Sequence, residues 1–100
     1  SMRTAGAISN GIADNLLTRS ADVALKEGRK LILVPREAPL SAIHVDNLAR
    51  LAHAGARIVP ASPAFYHRPK TIDELVDFVV GKVLDVLEIP HDLFARWGKT

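Results

Sequence analysis

The sequence predicts an α/β fold built on a parallel sheet, and three observations carry that prediction. Four consecutive aliphatics, Leu31-Ile32-Leu33-Val34, run into a turn at Pro35, the pattern of a strand covered on both faces. Ser41 to Gly55 then repeats apolar residues at helical spacing between a capping serine and a glycine stop. Arg57-Ile58-Val59-Pro60 reads as a second short strand, so the order strand, helix, strand makes a right-handed crossover between parallel neighbours.

One hundred residues allow a single domain, residues 1–100, with a modest core. The chain is 48% hydrophobic and 24% charged with a net charge of +2, which is globular and too weakly basic to argue for nucleic acid. It has no cysteine, so disulfides and thiolate metal sites are excluded. No apolar run approaches the ~20 residues of a membrane span and no signal-peptide pattern opens the sequence, so a cytoplasmic protein with no membrane partner is expected.

Met2 to Gly11 reads as a short helix stopped by Asn10-Gly11, and Ser20 to Gly28 as another, with Ala21, Val23, Ala24 and Leu25 apolar. In the crossover helix the apolar set is Ile43, Leu48, Leu51, Ala52 and Ala54. His44 and His53 lack a partner three or four residues away and read as surface histidines, so no metal site is expected. The stretch Pro60 to Pro69 holds three prolines, which suits a rigid loop, and it carries Phe65, Tyr66, His67 and Arg68. Thr71-Ile72-Asp73-Glu74 reads as a capping box opening a helix whose stripe is Ile72, Leu75, Val76, Val79, Val80, Val83, Leu84 and Leu87. Leu93, Phe94 and Trp97 fit one further helical turn that must dock to be stable.

The chemistry legible from residues alone is an anion site. Ligands of open α/β sheets sit beyond the carboxyl ends of strands, where Arg36-Glu37 stand between Pro35 and Pro39. Arg19, Lys26 and Lys82 with Tyr66 add cations and a hydroxyl in or beside loops, suited to phosphate, although any one of them taken alone reads as a surface charge. No Ser-His-Asp set, metal-ligand spacing, glycine-rich dinucleotide fingerprint or paired-carboxylate motif is present.

Three segments, Asp14-Asn15-Leu16-Leu17-Thr18-Arg19-Ser20-Ala21-Asp22-Val23, Pro35-Arg36-Glu37-Ala38-Pro39-Leu40 and Pro63-Ala64-Phe65-Tyr66-His67-Arg68-Pro69, resemble the UbiX-type flavin prenyltransferases in the same order. The resemblance covers nearly all of the chain and the C-terminal half of such an enzyme. It implies a Rossmann-like (flavodoxin-like) three-layer fold and a metal-independent reaction. In that reaction the dimethylallyl group of dimethylallyl phosphate is joined to N5 and C6 of reduced FMN, giving the prenylated flavin used by UbiD-type decarboxylases. It also implies a homo-oligomer, commonly a dodecamer, with sites at subunit boundaries. Alternatives are a related FMN-dependent cysteine decarboxylase, or a phosphate-binding or assembly module that has lost catalysis with its N-terminal half.

By motif position, the resemblance puts Ser1, Met2, Arg3 and Thr4 against the flavin, although Ser1-Met2 also reads as a vector-derived residue before a start methionine. It makes Arg36 a flavin and phosphate ligand and gathers Arg19, Lys26, Tyr66 and Lys82 at the allylic phosphate. Glu37 and Lys26 become catalytic, with Glu37 orienting cations and moving a proton, and Trp97 lies beside the reacting prenyl group. The family more often has Lys at position 3 and Arg at position 82, which changes the geometry of phosphate binding at both. Its N-terminal half, which supplies the first strand and flavin loop, is not in this sequence. The chain alone is therefore expected to bind FMN weakly, and to associate with that half or with other copies through an exposed apolar sheet edge.

Overall fold

The structure, a computed structural model, describes residues 1–94. Its elements are α1 (Met2–Ser9), α2 (Leu16–Lys26), β1 (Ile32–Leu33), α3 (Ala42–His53), β2 (Arg57–Ile58) and α4 (Ile72–Val86). They form two compact units, Ser1–Ile58 and a second that begins at Val59.

The first unit is α/β, as expected. β1 and β2 pair in parallel with Ile32 opposite Arg57 and Leu33 opposite Ile58, joined through α3. Its core is organised on α1, whose Met2, Ala5 and Ile8 recur at helical spacing and meet Ala21 of α2, Leu51 of α3 and Ala56. Leu51 is 1% exposed, and Leu25, Leu31, Leu33, Leu48 and Ile58 pack against this cluster. The β1 strand is not covered on both faces: Ile32 and Leu33 are half-buried and Val34 is 45% exposed. Leu33 packs on the core cluster, while Val34, on the opposite face, is open among the described residues.

Caps set the helix limits. Ser1 caps α1, its Oγ accepting the Thr4 amide at 3.2 Å, and the helix stops at Asn10-Gly11 as the sequence indicates. α2 begins four residues before the predicted Ser20, because Asn15 and Thr18 form a capping box that opens the helix at Leu16. α3 lies between Ser41 and Gly55 as predicted, with Gly55 at φ +112°. Ile43 of its expected apolar set is exposed, lying off the Leu48–Leu51 stripe that faces α1. His44 is more than a surface histidine: its Nδ1 accepts the Ser41 amide at 3.2 Å while its own amide donates to Ser41 Oγ at 3.1 Å.

In the second unit, Thr71 caps α4 through the Glu74 amide at 3.1 Å. The expected reciprocal box is displaced by one residue, since Glu74 Oε2 accepts the Lys70 amide at 2.7 Å. The buried positions of α4 are Phe78 and Gly81, while Ile72 (77% exposed), Val76, Val80 and Leu87 of the predicted stripe are open. The helix ends in a Schellman motif, Ile89 N–H donating to Leu84 O at 2.9 Å and Glu88 N–H to Asp85 O at 3.0 Å. Residues 89–94 then dock on α4, and the expected helical turn, which runs on to Trp97, extends outside the described residues. Trp97 lies outside the described residues.

Candidate functional site

Beyond the carboxyl end of β1 lies a cleft of about 280 Å³ lined by Ser1, Met2, Thr4, Ala5, Leu33, Val34, Pro35, Arg36, Glu37 and Leu48. Its position follows from the topology: the strand delivers Pro35-Arg36-Glu37 and α1 opens alongside. The first-turn amides of a helix have no intrahelical acceptor and carry the positive end of its dipole. Ser1 Oγ takes one of them, Thr4 N–H, and lies 3.1 Å from Thr4 Oγ1, which leaves the amides of Met2 and Arg3 at the helix entrance. The Ser1 and Thr4 hydroxyls, the helix entrance at Met2 and the exposed Arg36 guanidinium line one cleft and fit a phosphate monoester, with Leu33, Val34 and Leu48 supplying apolar surface.

Of the residues singled out in the sequence, Ser1, Met2, Thr4, Arg36 and Glu37 share this cleft. Arg3 does not line it; one helical position from Met2, it borders a separate hollow with Asn10, Asp14 and Asn15. Arg19 lies on the outer face of α2, beside Leu16, Ser20 and Val23, and Lys26 is exposed in that helix's last turn, before the amino end of β1. Neither joins Arg36 in the cleft.

In the second unit Tyr66 and Lys82 meet on Phe78. The Tyr66 ring stands edge-on to Phe78 at 6.1 Å, and Lys82 Nζ lies 5.3 Å from the Phe78 centroid and 5.4 Å from that of Phe94. His67 stacks on Phe78 at 5.7 Å and 14°, with both ring nitrogens buried and without a hydrogen-bond partner among the described residues. Phe78 and Phe94 carry no motif that marks them as site-forming in the sequence, whereas His67 lies in the loop already read as a binding wall. The Phe78-to-Lys82 spacing of one helical turn was the available signal.

The comparisons agree on one family. A profile described as Flavoprotein matches residues 1–84. The flavin prenyltransferase UbiX of Methanothermobacter thermautotrophicus is 56% identical over 96 residues, 96% of this chain and 50% of the relative. That of Pseudomonas aeruginosa is 53% identical over 96 residues, 96% of this chain and 46% of the relative. A crystal structure of AnUbiX in complex with FMN and dimethylallyl pyrophosphate superposes with TM-score 0.95 at 45% identity, covering 99% of this chain and 53% of that one. A dodecameric FMN-dependent UbiX-like decarboxylase from Escherichia coli O157:H7 gives 0.93 at 51% identity, covering 96% and 52%. The chain thus spans about half the length of the relatives it matches.

Proposed function

This chain belongs to the flavoprotein family, and from that premise we propose that it is the C-terminal part of a flavin prenyltransferase, acting on reduced FMN and dimethylallyl phosphate. The observation that carries the reading is the cleft past β1, where a helix entrance, two hydroxyls and Arg36 converge as a phosphate-bearing cofactor requires. UbiX relatives at 53–56% identity and the FMN complex of a related structure support it.

Reduced FMN, when bound, supplies N5 and C6 as the atoms that bond to the transferred prenyl group. The chain's own residues hold and orient. Ser1, Thr4 and the first-turn amides of α1 take the flavin phosphate, and Arg36 takes anionic oxygens at the strand end. Breaking the allylic C–O bond sends its electron pair out with the phosphate, so the leaving group needs fixed positive charge and a hydroxyl donor. Lys82 and Tyr66 serve that need. Glu37, which lines the cleft with Arg36, would hand a proton to the prenyl double bond and take back the one that C6 gives up on ring closure. Trp97, outside the described residues, is the aromatic residue assigned to steady the developing allyl cation.

Arg19 and Lys26 stand apart from the cleft of their own chain and act at the boundaries of a homo-oligomer, a dodecamer like that of the E. coli relative. The activity belongs to a cytoplasmic assembly that includes an N-terminal half with the first strand and flavin loop. No helix among the described residues is long and apolar enough to cross a membrane.

The test is a binding competition. Titrating the assembled protein and its FMN complex with dimethylallyl phosphate, and separately with a peptide ending in cysteine, should show uptake of the phosphate ester alone. Uptake of the peptide with no response to the ester would replace this reading with that of a cysteine decarboxylase.

A further inference from the structure

We propose that the segment Ile89–Phe94 is a brace that positions the Lys82 ammonium for an anion, with Phe94 as the positioning residue; this rests on Lys82 being a phosphate ligand. Three features hold the segment in place. The Schellman turn at Glu88-Ile89 directs the chain back onto α4. Gly81 supplies a notch, since a Cβ built there would meet His91 Cε1 and Phe94 Cδ1 each at 2.7 Å. His91, whose side chain is 5% exposed, pins the segment from both ring nitrogens: Nε2 lies 2.8 Å from Asp85 Oδ1, and Nδ1 accepts the Leu93 amide at 3.1 Å.

With Nδ1 occupied as an acceptor, Nε2 carries the proton and donates to the Asp85 carboxylate. The ring order that results is His91 against Phe94 at 5.2 Å and Phe94 against Phe78 at 4.9 Å. Lys82 Nζ is then shared by the faces of Phe78 and Phe94. No carboxylate among the described residues pairs with it.

That choice of partner matters for chemistry. A carboxylate would restrain the ammonium but cancel its charge and compete with phosphate for its N–H donors. Two ring faces restrain a flexible four-carbon stem while leaving the charge and donors for an incoming dianion. Phe78 lies one turn before Lys82 on the same helix and would be present in any conformation of the tail, so the segment's own contribution is the second face.

The test uses the assembled enzyme and three readouts, inhibition by inorganic phosphate, KM for dimethylallyl phosphate and FMN affinity. Phe94→Leu keeps volume without a π face and should weaken phosphate inhibition and raise KM for dimethylallyl phosphate about threefold to tenfold, with FMN affinity unchanged. Phe94→Tyr should restore both values. Gly81→Ala, which displaces the ring without altering Phe94 or Lys82, should act in the same direction and serves if Phe94→Leu fails to assemble. Phosphate binding unchanged in Phe94→Leu and Gly81→Ala, while Lys82→Met weakens it, would overturn the brace alone. Phosphate binding unchanged in Lys82→Met would remove Lys82 from the site and the brace with it.

Discussion

Asn15 and Thr18 close on each other across the first turn of α2. Asn15 Oδ1 accepts the Thr18 amide at 2.8 Å, and Thr18 Oγ1 accepts the Asn15 amide at 3.2 Å. Thr18 is 2% exposed and the only buried polar residue among those described, so its hydroxyl is satisfied locally within the core. Thr18→Val keeps the shape and deletes the hydroxyl, leaving the Asn15 amide without its acceptor. We expect a loss of about 1–2 kcal/mol in denaturant unfolding, with the m-value unchanged.

Arg36 is the cation that reaches the cleft past β1, where Arg19 and Lys26 do not. Removing a charge-assisted contact to a phosphate typically costs about 1.5–3 kcal/mol. Arg36→Ala should therefore weaken FMN or phosphate-ester binding roughly 10- to 100-fold. Arg36→Lys should recover part of that, because it restores the charge without the planar fork. Flavin titration at fixed ionic strength reads both.

His67 is a stability liability. Its ring stacks on Phe78 with both nitrogens buried and unpartnered among the described residues, and an unsatisfied buried polar group costs on the order of 1–3 kcal/mol. His67→Phe keeps the stack and removes that cost, so thermal unfolding should shift upward by a few degrees, about 4–8 °C per kcal/mol for a domain of this size. A lower melting temperature in His67→Phe would show that the imidazole nitrogens are satisfied in solution.

Much of the frame was legible because it is punctuated locally. Asn10-Gly11, Ser41 and Gly55 bound their helices where the sequence places them, since a cap depends on a few adjacent residues. The Asn15-to-Thr18 box is also local. It went unread because the exposed Leu16 and Leu17 behind it carry no amphipathic signal. Burial was harder to read, being decided by what packs opposite. Ile43, Ile72 and Val76 have the right periodicity and are nevertheless exposed, while Phe78 and Gly81 form the buried face of α4.

The site divides in the same way. Arg36 and Glu37 were found by the rule that ligands gather at strand ends, and they do line the cleft. Arg3, Arg19 and Lys26 carry the same charges and stand elsewhere, because the choice of wall depends on helix rotation and topology that composition does not encode.

Prenyl transfer is tested most directly on the flavin recovered from the assembled enzyme after anaerobic incubation with reduced FMN and dimethylallyl phosphate. Mass spectrometry should find FMN enlarged by one dimethylallyl unit, with an equivalent of inorganic phosphate released and little of either from Arg36→Ala. FMN returned at its original mass, from enzyme shown to bind both the flavin and the phosphate ester, would contradict prenyl transfer.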